Sequence, residues 1–553
     1  MRADQPGKIG DLEIRNRIAM APMISNLADP DGMTNENHIA YLEERAKGGA
    51  GLIITEYTYV DNRNSRGSRN ESGAYNYDFV PKFRRLTERV HFHGSKVFMQ
   101  LVHAGGKAFL DTNKESPMAP SAVDYVGYTP REMTVNDIDT VISSFARAAR
   151  FARHSNFDGV ELHGAHGYLL QEFLSPSLNL RSDRYGGSFE NRLRVVQEII
   201  DAIREENSFA LGIRLSLYED DQDGYGPDYG LKIAESLMGL DYVHFSAGRF
   251  APPGSSSSFY SPKTHILNRL PRKPGLTTMV VGSVTSLEDA EKVLEMADFV
   301  SVGRALLADP YFPKKIMSEP ATVRPCIRCN QACRDLGYGE VRCTVNPSTG
   351  LENSLRHIPK LKGEIAIGGS GVKGLEAALQ AARAGLHVII YEKNGSLGGQ
   401  INAIWDQWKR REFVALVDYY RTVLTRMGAE FRLGENLTGD GILCLPDRLY
   451  PDLAAKGRIV IDSNIYRYHD DALRLSEENE VIITERSLTS LDRVRQAAFR
   501  RIAIEKGISI VKESNEKPDV SIMERHQYDI REAMISGREA FRRFAEGRSM
   551  DFL

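Results

Sequence analysis

Short apolar runs alternate with longer amphipathic stretches along the first 303 residues of the chain. The runs are rich in Val, Ile and Leu, as strands are. They are Arg17–Ala21, Gly51–Thr55, Lys96–Leu101, Phe157–Leu162, Ala210–Leu215, Asp241–Phe245, Thr278–Gly282 and Asp298–Gly303. The stretches between them show helical spacing at Val80–His93, Val135–His154, Phe189–Glu206, Gly230–Gly239 and Ser286–Met296. This alternation predicts an α/β fold in which a parallel sheet closes into a (β/α)8 TIM barrel, usually ~250 residues long.

A second alternation of strand and helix begins after the polar segment 346–363. A strand-like run, Glu364–Ile367, opens into a glycine loop and then an alanine-rich helix. The loop has the spacing G-x-G-x-x-G, formed by Gly369, Gly371 and Gly374. Glycines at this spacing let a pyrophosphate approach a helix N-terminus, so the segment predicts a Rossmann-like nucleotide-binding unit.

The residues after this loop extend the prediction. The next strand, His387–Tyr391, ends in Glu392, an acid placed where it can hold ribose hydroxyls. Gly399 and Gln400 follow in a Leu-Gly-Gly-Gln turn. A later strand within 457–462 is followed by no glycine loop, which predicts a shortened second nucleotide domain that is unsuited to NAD(P)H.

Bulk composition excludes several classes of protein. The chain has 553 residues, enough for two to four domains, and is 42% hydrophobic and 26% charged, with a net charge of −3. No stretch of the chain interleaves basic and aromatic residues in the way that would suggest nucleic-acid binding. No apolar run is long enough to span a membrane. The N-terminus has no apolar secretory core, and the five cysteines do not form a secreted disulfide framework. We expect a cytoplasmic homo-oligomer that acts on a small molecule.

Polar side chains and glycines lie at or near the ends of the predicted barrel strands, where barrel enzymes collect their chemistry. In chain order they are Pro22, Met23, Glu56, Gln100, His163, His166, Tyr168, Arg214, Gly282, Gly303 and Arg304. FMN explains this set. The glycines and the Arg304 guanidinium suit its phosphate, and Gln100 with Arg214 suits the pyrimidine edge of an anionic reduced ring.

Residues 163–192, HGAHGYLLQEFLSPSLNLRSDRYGGSFENR, resemble the old yellow enzyme family of FMN-dependent reductases. The runs QLVHAGG and VGRALLADP resemble further signatures of that family. The resemblance implies that the flavin reduces a carbon–carbon double bond conjugated to a carbonyl or carboxylate. His163 and His166 would then donate hydrogen bonds to the substrate oxygen, and Tyr168 would protonate the neighbouring carbon.

Four of the five cysteines follow the predicted barrel at the spacing C-x2-C-x3-C-x9-C: Cys326, Cys329, Cys333 and Cys343. Thiols this close are typical of metal ligands in a reducing compartment. Zinc accepts four cysteines, and so does a [4Fe–4S] cluster, which we favour because a flavin can pass it single electrons.

The multi-cofactor branch of the family, the 2-enoate and dienoyl-CoA reductases, carries a similar cysteine run and an FAD unit. The resemblance therefore implies FAD in the C-terminal part, with ADP or no nucleotide as the alternative. It also implies five parts: an FMN barrel at 1–320, a cluster segment at 321–350, an FAD-binding part at 351–436, a shortened nucleotide domain at 437–515 and a closing helix within 516–553.

A second function stays open. Trimethylamine dehydrogenases also resemble the chain, but they carry cysteine where this chain has Ile24 and tyrosine where it has His163. Tyr57 resembles an aromatic wall of those enzymes. The alternative is an enzyme that oxidises an amine or saturated substrate and passes electrons through the cluster to an external carrier protein. If the enzyme instead reduces a double bond, an external protein could be the electron donor.

Overall fold

The computed structural model describes residues 2–124, 127–249, 257–334, 336, 339–354, 360–444, 454–491, 493–512, 520–522 and 529–550. Eight parallel strands in its N-terminal part form a closed barrel. They are β1 Ile18–Met20, β2 Leu52–Tyr59, β3 Lys96–Val102, β4 Gly159–Gly164, β5 Ala210–Ser216, β6 Tyr242–Ser246, β7 Thr277–Val281 and β8 Phe299–Val302. Each strand pairs with its neighbour in sequence, and β8 returns to β1 through Val300 and Ile18. The predicted barrel is confirmed.

Helices accompany the barrel strands and bury their apolar faces against them. They are α1 Glu36–Lys47, α2 Val80–Phe92, α3 Val135–His154, α4 Leu169–Leu174, α5 Phe189–Glu206, α6 Pro227–Ser236, α7 Leu287–Leu294, α8 Arg304–Ala308 and α9 Phe312–Ser318. Helix α3 begins at a capping box, in which the Thr134 hydroxyl accepts from Asp137 N while the Asp137 carboxylate accepts from Thr134 N. Helix α6 begins at Pro227, earlier than the spacing predicts, because proline suits a first helical turn.

Two barrel strands extend at least two residues past their predicted ends. Strand β2 continues to Tyr59, with a register shift against β3 between Ile54 and Tyr57. Strand β4 continues to Gly164, so His163 belongs to the strand and does not follow it.

An N-terminal hairpin, Gly7–Ile9 paired with Leu12–Ile14, covers the bottom of the barrel. Ile9 and Ile14 are fully buried there in a cluster with Phe98 and other apolar residues of the strands. The polar ends of the strands therefore meet at the opposite rim.

Two four-stranded parallel sheets follow the barrel. The first contains β9 Glu364–Gly368, β10 His387–Glu392, β11 Glu430–Leu433 and β12 Ile442–Leu443, in the order β11-β10-β9-β12. The second contains β13 Arg458–Ile461, β14 Glu480–Thr484, β15 Ser509–Val511 and β16 Val520–Ile522, in the order β15-β14-β13-β16. Their helices are α10 Val372–Ala384, α11 Gln407–Arg426, α12 Tyr466–Leu475, α13 Arg493–Glu505 and α14 Ile530–Met550. Within the described ranges, none of the helices combines the length and apolar character needed to cross a membrane.

The cysteine segment lies between the barrel and the first C-terminal sheet. Ile327 and Cys329 belong to the apolar core of that sheet, and Cys326 and Cys343 pack against both cores. A buried ion pair between Arg324 and Glu376, 3.1 Å apart, joins this segment to α10.

Candidate active site

The end of β4 brings the two predicted histidines and the predicted phenol together. His166 adopts a left-handed backbone with φ 61°, and Gly167 follows with φ 73°. This turn leads to Tyr168, which is the N-cap of α4. The ring centroid of His163 lies 5.1 Å from that of His166 and 4.9 Å from that of Tyr168. Three proton-handling side chains therefore share one site at the rim.

Both imidazoles are neutral at physiological pH. Burial lowers the pKa of His163 and of His166 well below the usual value, and the charge of Arg214 lowers both further. Ala165 N donates to His163 Nδ1 over 3.3 Å, which places the proton of the neutral ring on Nε2. His166 Nε2 lies 2.7 Å from Ser246 Oγ, so its Nδ1 is the atom that can face a ligand.

Tyr168 is held as a protonated phenol. Burial raises the pKa of Tyr168 to about 12, although a hydrogen bond from Tyr57 lowers it in part. The Tyr57 ring lies 5.4 Å from Tyr168 and 5.9 Å from His163, centroid to centroid. At neutral pH the site thus contains a proton donor beside two uncharged hydrogen-bonding rings.

Sequence reasoning did not single out Lys107, which supports the catalytic turn. Its Nζ donates to the carbonyl oxygens of His166, at 2.6 Å, and Arg249, at 2.7 Å. Burial lowers the pKa of Lys107 to about 7. The lysine ties the loop after β4 to the loop after β6. Its position just after the apolar β3 run was a signal that could have found it.

Gln100 and Arg214 are both buried inside the barrel, and Glu161, which accepts a hydrogen bond from Gln100, is close enough to Arg214 for the guanidinium to lower its pKa. Gln100 Oε1 is buried and has no hydrogen-bond partner among the described residues. Arg214 donates to the Pro22 carbonyl at 3.2 Å, and its buried Nε is also unpartnered within that part of the chain. Burial lowers the pKa of Arg214 to about 10, which leaves it charged. A buried acceptor beside a buried cation fits the pyrimidine edge of a flavin.

The ends of β7 and β8 meet at the predicted phosphate side. Arg304 donates to Ser283 Oγ at 2.9 Å and to the Ser257 carbonyl at 2.7 Å. A Cβ at Gly303 would lie 3.0 Å from Met23 Sδ, so a larger residue there would crowd the end of β1. Gly282 directly follows the neighbouring strand β7, and a Cβ there would find atoms no closer than 3.7 Å. Arg304 also donates to Asn330 Oδ1, so protein acceptors already engage the guanidinium that is predicted to bind the phosphate.

Glu56 is occupied by protein groups. Its carboxylate accepts hydrogen bonds from Ser25 N at 2.5 Å, Ser25 Oγ at 2.7 Å and Ser72 Oγ at 3.1 Å. It holds the loop after β1 against β2, and its predicted flavin contact has no support from these bonds.

The four clustered cysteines lie near one another. The charges of Cys326, Cys329 and Cys333 each raise the pKa of Cys343 beyond the larger effect of burial. Cys329 Sγ donates to Thr344 Oγ1 at 3.3 Å. In the described parts of the chain, no three His, Cys, Asp or Glu side chains already stand as a metal-ligand set. The mutual effect on the pKa of Cys343 still places these thiols within electrostatic reach of one another.

A cavity of about 830 Å3 lies in the C-terminal part. The predicted nucleotide-binding residues that line it are Gly369, Gly371, Glu392, Gly399 and Gln400. Cys329 lines the same cavity.

Two of the predicted nucleotide-binding residues have protein roles of their own. Gly374 lets α10 approach the loop, since its Cβ would lie 1.9 Å from the Gly369 carbonyl oxygen. The Glu392 carboxylate accepts from Ser370 N at 2.9 Å and from Asn394 N at 2.9 Å, so protein groups already engage both of its oxygens.

The barrel and its rim define an α/β-barrel oxidoreductase built for a flavin. The chain belongs to the NADH:flavin oxidoreductase / NADH oxidase family, which matches residues 5–322. It is 37% identical to an NADH oxidase of Thermoanaerobacter brockii over 464 residues, 80% of this chain and 71% of that protein. It is 33% identical to a cinnamate reductase of Clostridium sporogenes over 468 residues, 77% of this chain and 70% of that protein.

The fold of the whole chain also has a solved counterpart. The structure of a 2-naphthoyl-CoA reductase superposes with a TM-score of 0.88 at 22% identity, covering 98% of this chain and 99% of the other. These findings confirm the resemblance to the multi-cofactor branch of the old yellow enzyme family and the flavin-dependent chemistry.

Proposed function

We propose that this enzyme reduces a carbon–carbon double bond conjugated to a carbonyl or carboxylate group. The observation that carries the proposal is the pairing of neutral His163 and His166 with the protonated phenol of Tyr168. Neutral N–H groups can bind a substrate oxygen, and a phenol can protonate a carbon. The relative that is a cinnamate reductase supports the proposal, because cinnamate is an alkene conjugated to a carboxylate.

Each side chain has a separate task in this reaction. FMN, when bound, supplies a hydride to the electron-poor alkene carbon. The Nε2–H of His163 donates to the substrate oxygen as negative charge develops there, and His166 binds the same oxygen through Nδ1. Tyr168 gives its proton to the neighbouring carbon. Tyr57 then donates its hydrogen bond to the phenolate oxygen that remains.

We also propose a [4Fe–4S] cluster in the cysteine segment and FAD in the C-terminal cavity. Four thiols supply the donors that such a cluster needs. Cys329 lines the cavity that Gly369 and Gly371 also line, so a nucleotide cofactor there would lie against the cysteine segment. Single electrons could then pass between the C-terminal part and the barrel.

The second C-terminal sheet offers little to the phosphates of NAD(P)H. After β13, Asp462 accepts from Thr484 Oγ1 at 2.7 Å and pairs with Arg486. Ser463 N donates to Ser487 Oγ at 2.9 Å. A carboxylate and the hydroxyl groups bonded to this segment therefore occupy the position where a phosphate loop would lie. This arrangement supports electron delivery by an external donor.

Anaerobic stopped-flow spectroscopy tests the reaction. The purified enzyme is photoreduced and mixed with cinnamate, and we expect the flavin to reoxidise as the alkene is consumed.

The second candidate function is amine oxidation, and it draws on the aromatic contact of Tyr57 with His163 and Tyr168. Bleaching of the oxidised enzyme by trimethylamine or histamine, with no reoxidation by cinnamate or cyclohexenone, would favour that candidate.

Gly371 provides a test of nucleotide binding that is separate from folding. A Cβ at Gly371 meets no described atom within 4 Å, so Gly371→Ala should leave thermal stability unchanged. We expect it to lower FAD content at least tenfold, because the methyl group takes space that a pyrophosphate needs. Calorimetry with FAD and with ADP, together with cofactor content, measures the effect. Gly374→Ala is the matched control and should lower stability, because its Cβ would clash with Gly369. Full FAD content in a stable Gly371→Ala protein would contradict this site.

A further inference from the structure

Glu161 is a carboxylate inside the barrel that the proposed chemistry does not use. It lies in β4, two residues before His163, and is completely buried. A charged residue in a buried strand needs partners that offset its loss of water. Those partners come from two other strands of the barrel.

Three donors surround the Glu161 carboxylate. Gln100 Nε2 donates to Oε1 at 2.7 Å. Tyr242 OH and His244 Nδ1 both donate to Oε2, each at 2.9 Å. Hydrogen bonds from His244 and Tyr242 and the charge of Arg214 lower the pKa of Glu161 in spite of its burial, so the group is ionised. Burial also lowers the pKa of His244, which is therefore a neutral ring that donates its Nδ1–H.

An ionised carboxylate decides how the amide of Gln100 is turned. A carboxylate can only accept hydrogen bonds, so the NH2 group of Gln100 must face Glu161. The amide oxygen must then point the other way. That oxygen is the buried Oε1 atom for which no partner exists in the described ranges.

We propose that Glu161 is a positioning residue for the flavin: it locks Gln100 so that Oε1 accepts the single N–H of the oxidised isoalloxazine ring, beside the cation of Arg214. This inference rests on the proposed FMN site. The ring carries one N–H, at N3, between two carbonyl groups. An amide turned the other way would set NH2 against that N–H, and two donors would face each other.

Glu161 also balances charge. Arg214 favours the anionic reduced ring, and the nearby negative charge of Glu161 limits that preference. Removing the negative charge alone should therefore raise the midpoint potential of the flavin. Removing the amide lock should weaken FMN binding in both oxidation states.

Glu161→Gln tests both effects in the full-length protein. We expect the Kd for FMN to rise at least tenfold and the midpoint potential to rise by about 30 mV, the shift equivalent to a tenfold change in a two-electron equilibrium. Tyr242→Phe is the matched control. It removes one hydrogen bond from Glu161 but keeps the charge and the Gln100 contact. The Kd for FMN should therefore change less than threefold, and the midpoint potential should change by less than about 10 mV.

An exchanged pair separates positioning from simple structural support. In Gln100→Glu with Glu161→Gln, the new amide donates to the new carboxylate, whose other oxygen again accepts from the ring. The same polar groups are kept, so this variant can fold even if Glu161→Gln alone does not. We expect FMN affinity within threefold of wild type, with a midpoint potential at least about 30 mV below it because the negative charge now adjoins the ring.

The outcomes are distinguishable. If wild type binds FMN and Glu161→Gln matches it in affinity and potential, this inference alone is wrong. It is also wrong if the exchanged pair folds but binds FMN no better than folded Glu161→Gln, or keeps the wild-type potential. A wild-type protein that binds no FMN after reconstitution overturns the proposed function as well.

Discussion

Replacing Tyr168 with phenylalanine is expected to slow reoxidation of the reduced enzyme by an alkene about 10²- to 10⁴-fold, the usual contribution of a positioned acid. Flavin reduction should stay near the wild-type rate, because no proton from Tyr168 is needed for it. The ring and its packing against His163, 4.9 Å between centroids, are retained in the variant. The two half-reactions are measured separately by anaerobic stopped-flow spectroscopy.

The pH profile adds a second readout for Tyr168. Since burial raises the pKa of Tyr168 to about 12, the phenol is the dominant form at every lower pH. The contribution of Tyr168 to the rate of alkene reduction should therefore stay constant through the neutral range and be lost only as the pH approaches about 12. The Tyr168→Phe variant lacks the phenol hydroxyl, so its slow reaction should show no high-pH limb from this group.

Tyr57→Phe is the matched control for Tyr168→Phe. It removes the hydrogen bond from Tyr57 to Tyr168 but keeps the Tyr168 hydroxyl, which is the proton donor. The alkene half-reaction should therefore slow less than about tenfold. Wild-type speed for both half-reactions in Tyr168→Phe would show that another group protonates the substrate.

The second large effect is expected from the cysteine segment. Cys343→Ser should reduce iron and acid-labile sulfide from ~4 of each per chain to near zero, because a [4Fe–4S] cluster needs its four thiolates. Transfer of electrons from the C-terminal part to the barrel should then slow at least about 100-fold, since the carrier between them is lost. Iron analysis, electron paramagnetic resonance of the reduced protein and flavin reduction kinetics measure these changes.

Cys444→Ser is the control for Cys343→Ser. Cys444 is buried at the C-terminal cavity and lies outside the cysteine segment, so its replacement should leave iron content unchanged. Alkene reduction by a barrel whose FMN is reduced by light should also be unchanged in both variants. Four thiols occupied by zinc, with no iron, would contradict the cluster.

Much of the barrel could be predicted because its signal is local. Apolar runs alternating with amphipathic helices indicate strands and helices without knowledge of distant contacts, and strand ends indicate the rim. The predicted limits were less accurate where backbone geometry decides. Strand β2 was longer because a register shift lets it continue past Ile54 along β3. Strand β4 ended later because His163 pairs with Arg214 on β5.

The chemistry of the site was predictable only in part, because burial and pairing depend on residues far apart in sequence. The polar cluster His163, His166 and Tyr168 was visible in one short stretch. The contact of Lys107 with the His166 carbonyl and the hydrogen bond between Gln100 and Glu161 join residues 59 and 61 positions apart in the chain, so no local pattern displays them.

The N-terminal hairpin has a kinetic consequence. Ile9 and Ile14 seal one end of the barrel with apolar side chains, so molecules that reach the flavin must enter and leave at the other. A reductant that binds at that rim would then have to leave before the alkene can bind, because both reach the flavin through the same opening. Steady-state turnover with such a pair should give parallel double-reciprocal lines, and each reactant in excess should act as a competitive inhibitor of the other.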